Sequence, residues 1–475
     1  MHEDHARPLA GHRVIGDGGA IRTGQTAGRG VRRSAGGRIG VCHIGFTHGS
    51  VGPAVQTRTT RAGQAQGKGG TRVTAHGITA TTRRETQAAG AIPTVLQVLP
   101  ALEAGGVERG TVDVAEGIVG AGWRALVASQ GGRLEHALAR VGARHITLPL
   151  ATKNPLALRR NAGRLARVIR EHGVDLIHAR SRAPAWSALW ASRATGVPLV
   201  TTFHGTYTLG PWGLKAGYNR VMIEGARVIA ISQFIAAHIR EQYGVTDDRI
   251  RIIPRGVDLT TFTPQAVREQ RIVRLATQWR LPEDATVILM PGRLTRWKGQ
   301  SLLIEAMARL GRPGVHALIV GSDQGRAAYR TTLDDQIAHH GLEGQVHILD
   351  HCDDMPAAYR LANVVVSASL EPEAFGRVPA EGQALGRVVV APAHGGALEI
   401  VDHGVTGWLF EPGDADSLAY ALAVALDMDP AARTAMTERA MVQTQRVFSK
   451  TAMILDTLAV YRELLGAPEP ALSVP

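Results

Sequence analysis

Cysteine is nearly absent. The 475 residues hold two, Cys42 and Cys352, far apart and in no metal-ligand spacing. That excludes a disulfide framework and a cysteine-based zinc site, and it fits a reducing compartment. Long apolar runs are missing as well. None approaches the roughly 18–20 residues needed to cross a bilayer, so a cytoplasmic protein is expected. The chain opens Met-His-Glu-Asp-His without an apolar core, so no secretory signal is expected. No repeat of 20–50 residues and no G-x-G-x-x-G loop occurs, which leaves solenoids and a nicotinamide site unsupported.

Acidic residues are scarce only in one region. The formal net charge is +12. Residues 1–92 carry 13 Arg and Lys against 4 Asp and Glu, while 93–475 carry 40 against 37. The basicity therefore belongs mainly to the N-terminal segment, and no nucleic-acid partner is expected for the rest. Residues 1–92 are rich in Gly, Thr, Ala and Arg and show no helix or strand period. Such a segment buries too little apolar surface to offset its ordering entropy, so a disordered basic tail is expected. A start codon placed upstream of the natural one would give such a stretch. The competing readings are a tail for membrane or nucleic acid and an organellar leader, the latter without an amphipathic helix to support it.

From Pro93 onward, short apolar runs alternate with helical stretches, the pattern of parallel α/β layers. The expected strands are 94–100, 124–129, 145–149, 174–178, 198–203, 227–232, 287–291, 316–321, 346–349, 364–370 and 387–391, and 407–410 leads into a helix over 417–426. Their following loops carry the polar residues. The first, Ala101–Glu108, holds Gly105 and Gly106, which let backbone approach a ligand or simply form a tight turn. His204-Gly205-Thr206-Tyr207 follows a later strand; His204 suits a sugar hydroxyl, and a plain surface residue is the alternative. Arg251–Asp258 reads as an interdomain hinge. Gly292-Arg293-Leu-Thr-Arg-Trp-Lys298-Gly299 places two cations on one loop. Both could neutralise a departing diphosphate, or both could be solvated. Asp414-Ala-Asp416 and Asp427-Met-Asp429 have the D-x-D form of metal-dependent transferases, but they sit at helix ends, where Asp caps N–H groups. No metal site is assigned. The helix 156–172 carries Arg159, Arg160, Arg164, Arg167 and Arg170. It suits either an anionic membrane surface or the solvated face of an outer helix.

Glu373-Ala-Phe-Gly-Arg-Val-Pro-Ala-Glu381 sets two carboxylates eight positions apart across a strand–turn–helix junction. Such a turn lies at the carboxyl edge of a parallel sheet, where open α/β folds bind ligands, with a helix N-terminus aimed at the site. Glu381 would be free to accept from a ribose diol and Glu373 from a second sugar. Two solvated glutamates are the alternative.

Six features in order, from the Gly-Gly loop through Phe203-His204-Gly205, Pro-x-Gly-Val-Asp, Gly-Arg-Leu-x-x-x-Lys-Gly and Glu-x7-Glu to Gly-Gly-x-x-Glu-Ile-Val, make residues 94–465 resemble the family 4, or group 1, glycosyltransferases of GT-B type. The resemblance implies two Rossmann-like doubly wound parallel-sheet domains facing across a cleft. The expected bounds are an acceptor domain over 93–272, a nucleotide-sugar domain over 273–440 and terminal helices over 441–475 crossing back to the first. It implies a nucleotide diphosphate sugar as donor, a UDP-sugar foremost, with retention of anomeric configuration, no cofactor and no metal. Arg293 and Lys298 would bind the diphosphate, Glu381 the ribose, and Glu373 with Ala374, Phe375 and Gly376 the sugar. Gly106 would approach the phosphates, and His204 would sit beside the transferred sugar. Two departures, Arg255 in place of Asn and Gln383 in place of Met, are expected to lie away from the chemistry.

Within the family, Asp175–Trp186 and His204–Tyr207 resemble enzymes of bacterial cell-envelope glycan assembly, lipopolysaccharide above all. A glycan or glycolipid acceptor and peripheral contact with the inner face of the plasma membrane are expected. A sugar-nucleotide 2-epimerase and a non-catalytic sugar-nucleotide-binding subunit are the rival readings.

Overall fold

The computed structural model describes residues 92–466 apart from 104, 209, 211, 212 and 214; the expected basic tail and the last nine residues lie outside the described residues. Two parallel sheets are present. The first contains β1 (Thr94–Val98), β2 (Arg124–Ser129), β3 (Arg144–Thr147), β4 (Leu176–Ala179), β5 (Leu199–Phe203), β6 (Arg227–Ala230) and β7 (Ile250–Ile252), in the order 3-2-1-4-5-6-7. The second contains β8 (Thr286–Pro291), β9 (Val315–Val320), β10 (Val346–Leu349), β11 (Val364–Val366), β12 (Val388–Pro392) and β13 (Trp408–Phe410), in the order 10-9-8-11-12-13. This is the doubly wound GT-B arrangement.

The central strands are continuous apolar runs because helices cover both faces of a parallel sheet. β1, β9 and β12 are buried at every position. Strand order reverses between β1 and β4 and again between β8 and β11. Loops diverge at these two switch points and leave crevices at the carboxyl ends of the strands. Lys298 follows β8 and Glu373 follows β11, so topology brings these two together, while the Gly-Gly loop follows β1 at the corresponding switch point of the first sheet.

Two edges differ from the sequence reading. The strand expected over 364–370 ends at Val366, because Leu370 turns out to 44% exposure while its N–H donates to Trp297 O at 2.7 Å. The expected hinge at 251 begins inside β7, which pairs with β6.

The chain passes between the sheets twice, and the two passages are tied. Val257 N donates to Phe448 O at 2.7 Å, and Lys450 N to Val257 O at 2.8 Å. The helix Lys450–Leu465 then packs on the first sheet's layer, burying Met453, Leu458 and Tyr461 with Val95, Leu99 and Ile118. A third tie is polar. Glu399 accepts from Gln233 N (2.7 Å) and Phe234 N (2.8 Å), the first N–H groups of the helix after β6. A carboxylate at a helix N-terminus is stabilising, and this one joins the two halves.

Among the described residues, no helix is long and apolar enough to cross a membrane. The basic helix, Pro155–His172, buries Leu158, Leu165, Val168 and Ile169, while all five of its arginines are exposed. Most of its apolar face is spent on the fold; Leu156, at 72% exposure, and the arginines face outward.

Candidate functional site

Two cavities open at the paired switch points, of about 420 and 370 Å³. Glu381, Arg377, Met355 and Pro356 line the first on one side, and Gly106, Arg109 and Asp113 on the other. Glu373, Ala374, Phe375 and Gly376 line the second, facing His204. Gly106, Arg255 and Arg377 belong to both and form the partition.

Glu373 follows β11 in a turn held from below. Gly396 N donates to Glu373 O at 2.8 Å, and a Cβ on Gly396 would meet Phe375 O at 2.3 Å. The Gly395-Gly396 turn thus packs directly on the backbone that presents the carboxylate. Glu373 Oε1 accepts from Lys298 Nζ at 2.8 Å and from Ser369 Oγ, in a pair only 15% and 18% exposed. Such a pair is sharply oriented, since both groups have little water to fall back on.

Glu381 is not free, contrary to expectation. Its Oε1 accepts from Arg377 Nε (3.0 Å) and Nη2 (2.5 Å), and its Oε2 from the buried Tyr359 hydroxyl at 2.8 Å. The Glu381 carboxylate raises the Arg377 pKa. Oε1 spends both lone pairs on Arg377, while Oε2 keeps one, so a diol hydroxyl can still donate to Oε2. Arg293 lines neither cavity. Its side chain is exposed and unpaired among the described residues, and its carbonyl accepts from Gln300. The structure brings Glu373, Lys298, His204 and Gly106 to one cleft with Glu381, and it leaves Arg293 at the rim.

Both D-x-D stretches are structural. Asp414 caps Asp416 N and Ser417 N, and Asp429 caps Ala431 N and Ala432 N. Asp416 pairs with Arg309, and Asp427 with Arg312.

Three arginines were missed from the sequence and a fourth was misjudged. Arg377 carries a legible signal, an i, i+4 pair with Glu381 on one helix face. Arg109 lies one turn into the helix after the Gly-Gly loop. Arg180 follows β4, fully buried, and donates to Gln97 Oε1 at 3.0 Å. Arg255 is a correction. Expected away from the chemistry, it donates to Gly106 O and lies 3.0 Å from His204 Nδ1. Burial, with Arg180 and Arg377 nearby, pulls its pKa down to about 9, still protonated at neutral pH. Gln383, the other departure, is a core residue donating to Ile400 O and Thr406 O.

Two histidines are held neutral. Burial, then Arg255 and Arg180, keeps His204 well below its ordinary range, and burial, then Arg180, does the same for His178. His178 bridges Tyr461 and Thr202 at 2.6 Å each. Both rings titrate near pH 6.5 once the chain unfolds. Below that pH the unfolded state binds more protons, so their contribution is full above about pH 6.5 and falls as pH drops, by up to about 1.4 kcal/mol per pH unit per ring. Urea midpoints should therefore fall between pH 7 and 5.5. A His178→Gln variant, weaker at pH 7, should lose less over that interval; an identical pH dependence would contradict the neutral burial of His178.

Residues 274–442 match the family model for glycosyl transferases group 1, and residues 104–261 that for glycosyltransferase family 4. D-inositol 3-phosphate glycosyltransferase of Pseudarthrobacter chlorophenolicus is 32% identical over 302 residues, covering 60% of this chain and 70% of that protein. A crystal structure of a glycosyltransferase from Rickettsia africae superposes with a TM-score of 0.74 at 35% identity, covering 79% of this chain and 100% of that one. Anabaena Alr3699/HepE, solved with UDP and glucose, gives 0.69 at 25% identity, covering 78% and 100%.

Proposed function

We propose, for a chain that belongs to the group 1, family 4 glycosyltransferases, the transfer of one sugar from a UDP-sugar to a hydroxyl of a cell-envelope glycan or glycolipid. That it is a glycosyltransferase is the premise; the donor, the stereochemistry and the acceptor are the proposal. The observation that carries it is the divided cleft, with Glu381 and Arg377 in one cavity and Glu373 beside Lys298 in the other. The first cavity takes the nucleoside, with its ribose diol donating to Glu381. The partition of Gly106, Arg255 and Arg377 meets the diphosphate. The sugar lies between Glu373 and His204. The similar Anabaena protein holds UDP and glucose, which supports UDP as the nucleotide.

Lys298, with Arg293 drawn in from the rim, meets the charge that develops on the leaving diphosphate. The two D-x-D pairs are engaged as caps and ion pairs, which supports a reaction without a metal ion. The acceptor hydroxyl attacks on the face from which the diphosphate leaves, and the departing phosphate takes its proton, so the configuration is retained. Closure about the passages near 255–272 excludes water and limits donor hydrolysis.

A second acceptor has its own support. The curated relative is named for D-inositol 3-phosphate, which makes a soluble phosphorylated polyol the competitor to a lipopolysaccharide-type glycolipid. The test incubates the full chain with UDP-sugars and EDTA, with glycolipid extract in one arm and D-inositol 3-phosphate in the other. Product anomers are read by NMR. An α-linked product from an α-donor is expected in the glycolipid arm; an inverted product would overturn retention, and product only with the inositol phosphate would replace the acceptor.

We further propose that the protein works at the inner membrane face, held there chiefly by charge through the exposed arginines of Pro155–His172. Each basic residue near an anionic surface contributes about 1 kcal/mol. Reversing Arg159, Arg160 and Arg164 to Glu should cut sedimentation with anionic vesicles by on the order of 100-fold at low salt. Unchanged binding would refute this anchoring.

A further inference from the structure

Arg255 stands where the family resemblance leads one to expect Asn. Its side chain leaves the passage between the two halves and ends, partly buried, against two acceptors. One is the carbonyl of Gly106; the other is Nδ1 of His204, 3.0 Å away. A guanidinium has donors and no acceptor. The contact is therefore a hydrogen bond only if Nδ1 carries no proton. A neutral imidazole then has its proton on Nε2. Protonating Nδ1 as well would set one N–H against another in a buried site.

Nε2 of His204 is buried and has no partner among the described residues. His204 lines the second cavity with Glu373 and Gly376, and it also borders a void of about 20 Å³ with His178 and Arg180. An unpartnered buried N–H is costly, so an oxygen acceptor is required when the cleft is filled.

We propose that Arg255 is a positioning residue that fixes His204 as the neutral Nε2–H tautomer, which makes His204 a hydrogen-bond donor to a substrate oxygen and bars it from acting as a base. The groups facing the ring all favour this state or leave it undisturbed. Arg255, Arg180 and His178 oppose a second proton. The Tyr207 hydroxyl engages the His204 backbone, not the ring. Glu373 lies across the cavity, paired with Lys298. The substrate oxygen rests on the proposed transferase reading; the tautomer does not.

The test is ¹⁵N NMR of histidine-labelled full-length protein, with His204 assigned by a His204→Gln spectrum. The free wild type should show the neutral Nε2–H pattern from pH 5.5 to 8.5, and UDP-sugar should shift the Nε2–H resonance. Arg255→Met should give a mixed or titrating ring and a new acid limb in kcat/KM, about 3-fold between pH 7 and 6 for a ring near its ordinary pKa. Arg255→Lys keeps a cationic donor and should restore the wild-type pattern. An Nδ1–H tautomer or a titrating His204 in the wild type would overturn the proposal, as would an unchanged pattern in a folded Arg255→Met variant. A resonance unmoved by a UDP-sugar that the protein binds would overturn the donor role. The wild-type spectra need no turnover, so a failed tautomer assignment is distinguishable from a failed transferase reading.

Discussion

Replacing Lys298 by Ala is expected to lower kcat/KM by about 100- to 1,000-fold with the fold intact. A preorganised donor aimed at developing negative charge is worth about 2.7–4 kcal/mol, and Lys298 is held for that task. Its side chain is 15% exposed, with the ammonium 2.8 Å from Glu373 Oε1. The substitution also leaves Glu373 with only the Ser369 hydroxyl and a long contact to Ser367, a scarcely compensated anion beside the incoming diphosphate. Most of the loss should fall in kcat, because the interaction strengthens as the bond breaks. Glu373→Gln keeps the shape and an acceptor oxygen but frees the lysine, and a loss of about 100-fold is expected. The double variant should cost less than the sum of the two, since each single change strands the other partner. Steady-state nucleoside diphosphate release, beside a thermal melt, measures this. A Lys298→Ala enzyme keeping more than a tenth of wild-type kcat/KM would remove Lys298 from the chemistry.

The next residue carries the largest stability effect. Gly299 has φ +75°, and a Cβ there would lie 1.9 Å from Ala368 O and 2.9 Å from its carbonyl carbon. Both atoms are backbone, in the segment linking β11 to Glu373, so neither can step aside cheaply. Left-handed strain costs about 1–3 kcal/mol and overpacking a further ~1–3. Gly299→Ala should therefore destabilise by about 3–5 kcal/mol and draw activity down with it, because the same close approach sets Lys298 against Glu373. Gly311, at the other end of the same helix, has φ +58° and only Arg309 O at 4.0 Å. Gly311→Ala should cost about 1 kcal/mol. Equal urea midpoints for the two variants would show that the approach of Gly299 to Ala368 is not a constraint.

The sheets were legible because buried parallel strands advertise themselves. Val364-Val-Val and Val388-Val-Val have no other plausible home, and the loops after them collect the polar residues. Element ends were less so. Nothing local in Ser367–Leu370 says that the chain leaves the sheet after Val366; the departure is set by Trp297 O, which is distant in sequence. Glu373 and Lys298 could be placed together because they sit on short loops at a switch point, and His204 on the loop after β5, where backbone topology fixes position. Arg255 was noticed and misjudged because a long side chain reaches well beyond its own backbone, and no sequence pattern records that it spans to Gly106 and His204. For the same reason Glu381 was read as free, when Tyr359, 22 positions earlier, already donates to it. Glu399 belonged to a legible Gly-Gly turn, but its target, the helix after β6, lies 165 positions away.

The measurement that bears most directly on the central claim is UDP release from UDP-sugars by residues 93–475 in EDTA, with and without cell-envelope glycolipid, alongside sugar analysis of the unreacted donor. The account predicts release that depends on acceptor, survives EDTA, and is lost in Lys298→Ala and Glu373→Gln, with the residual donor unchanged. A strict requirement for a divalent metal, or conversion of the donor sugar in the absence of any acceptor, would contradict it, the latter in favour of 2-epimerisation.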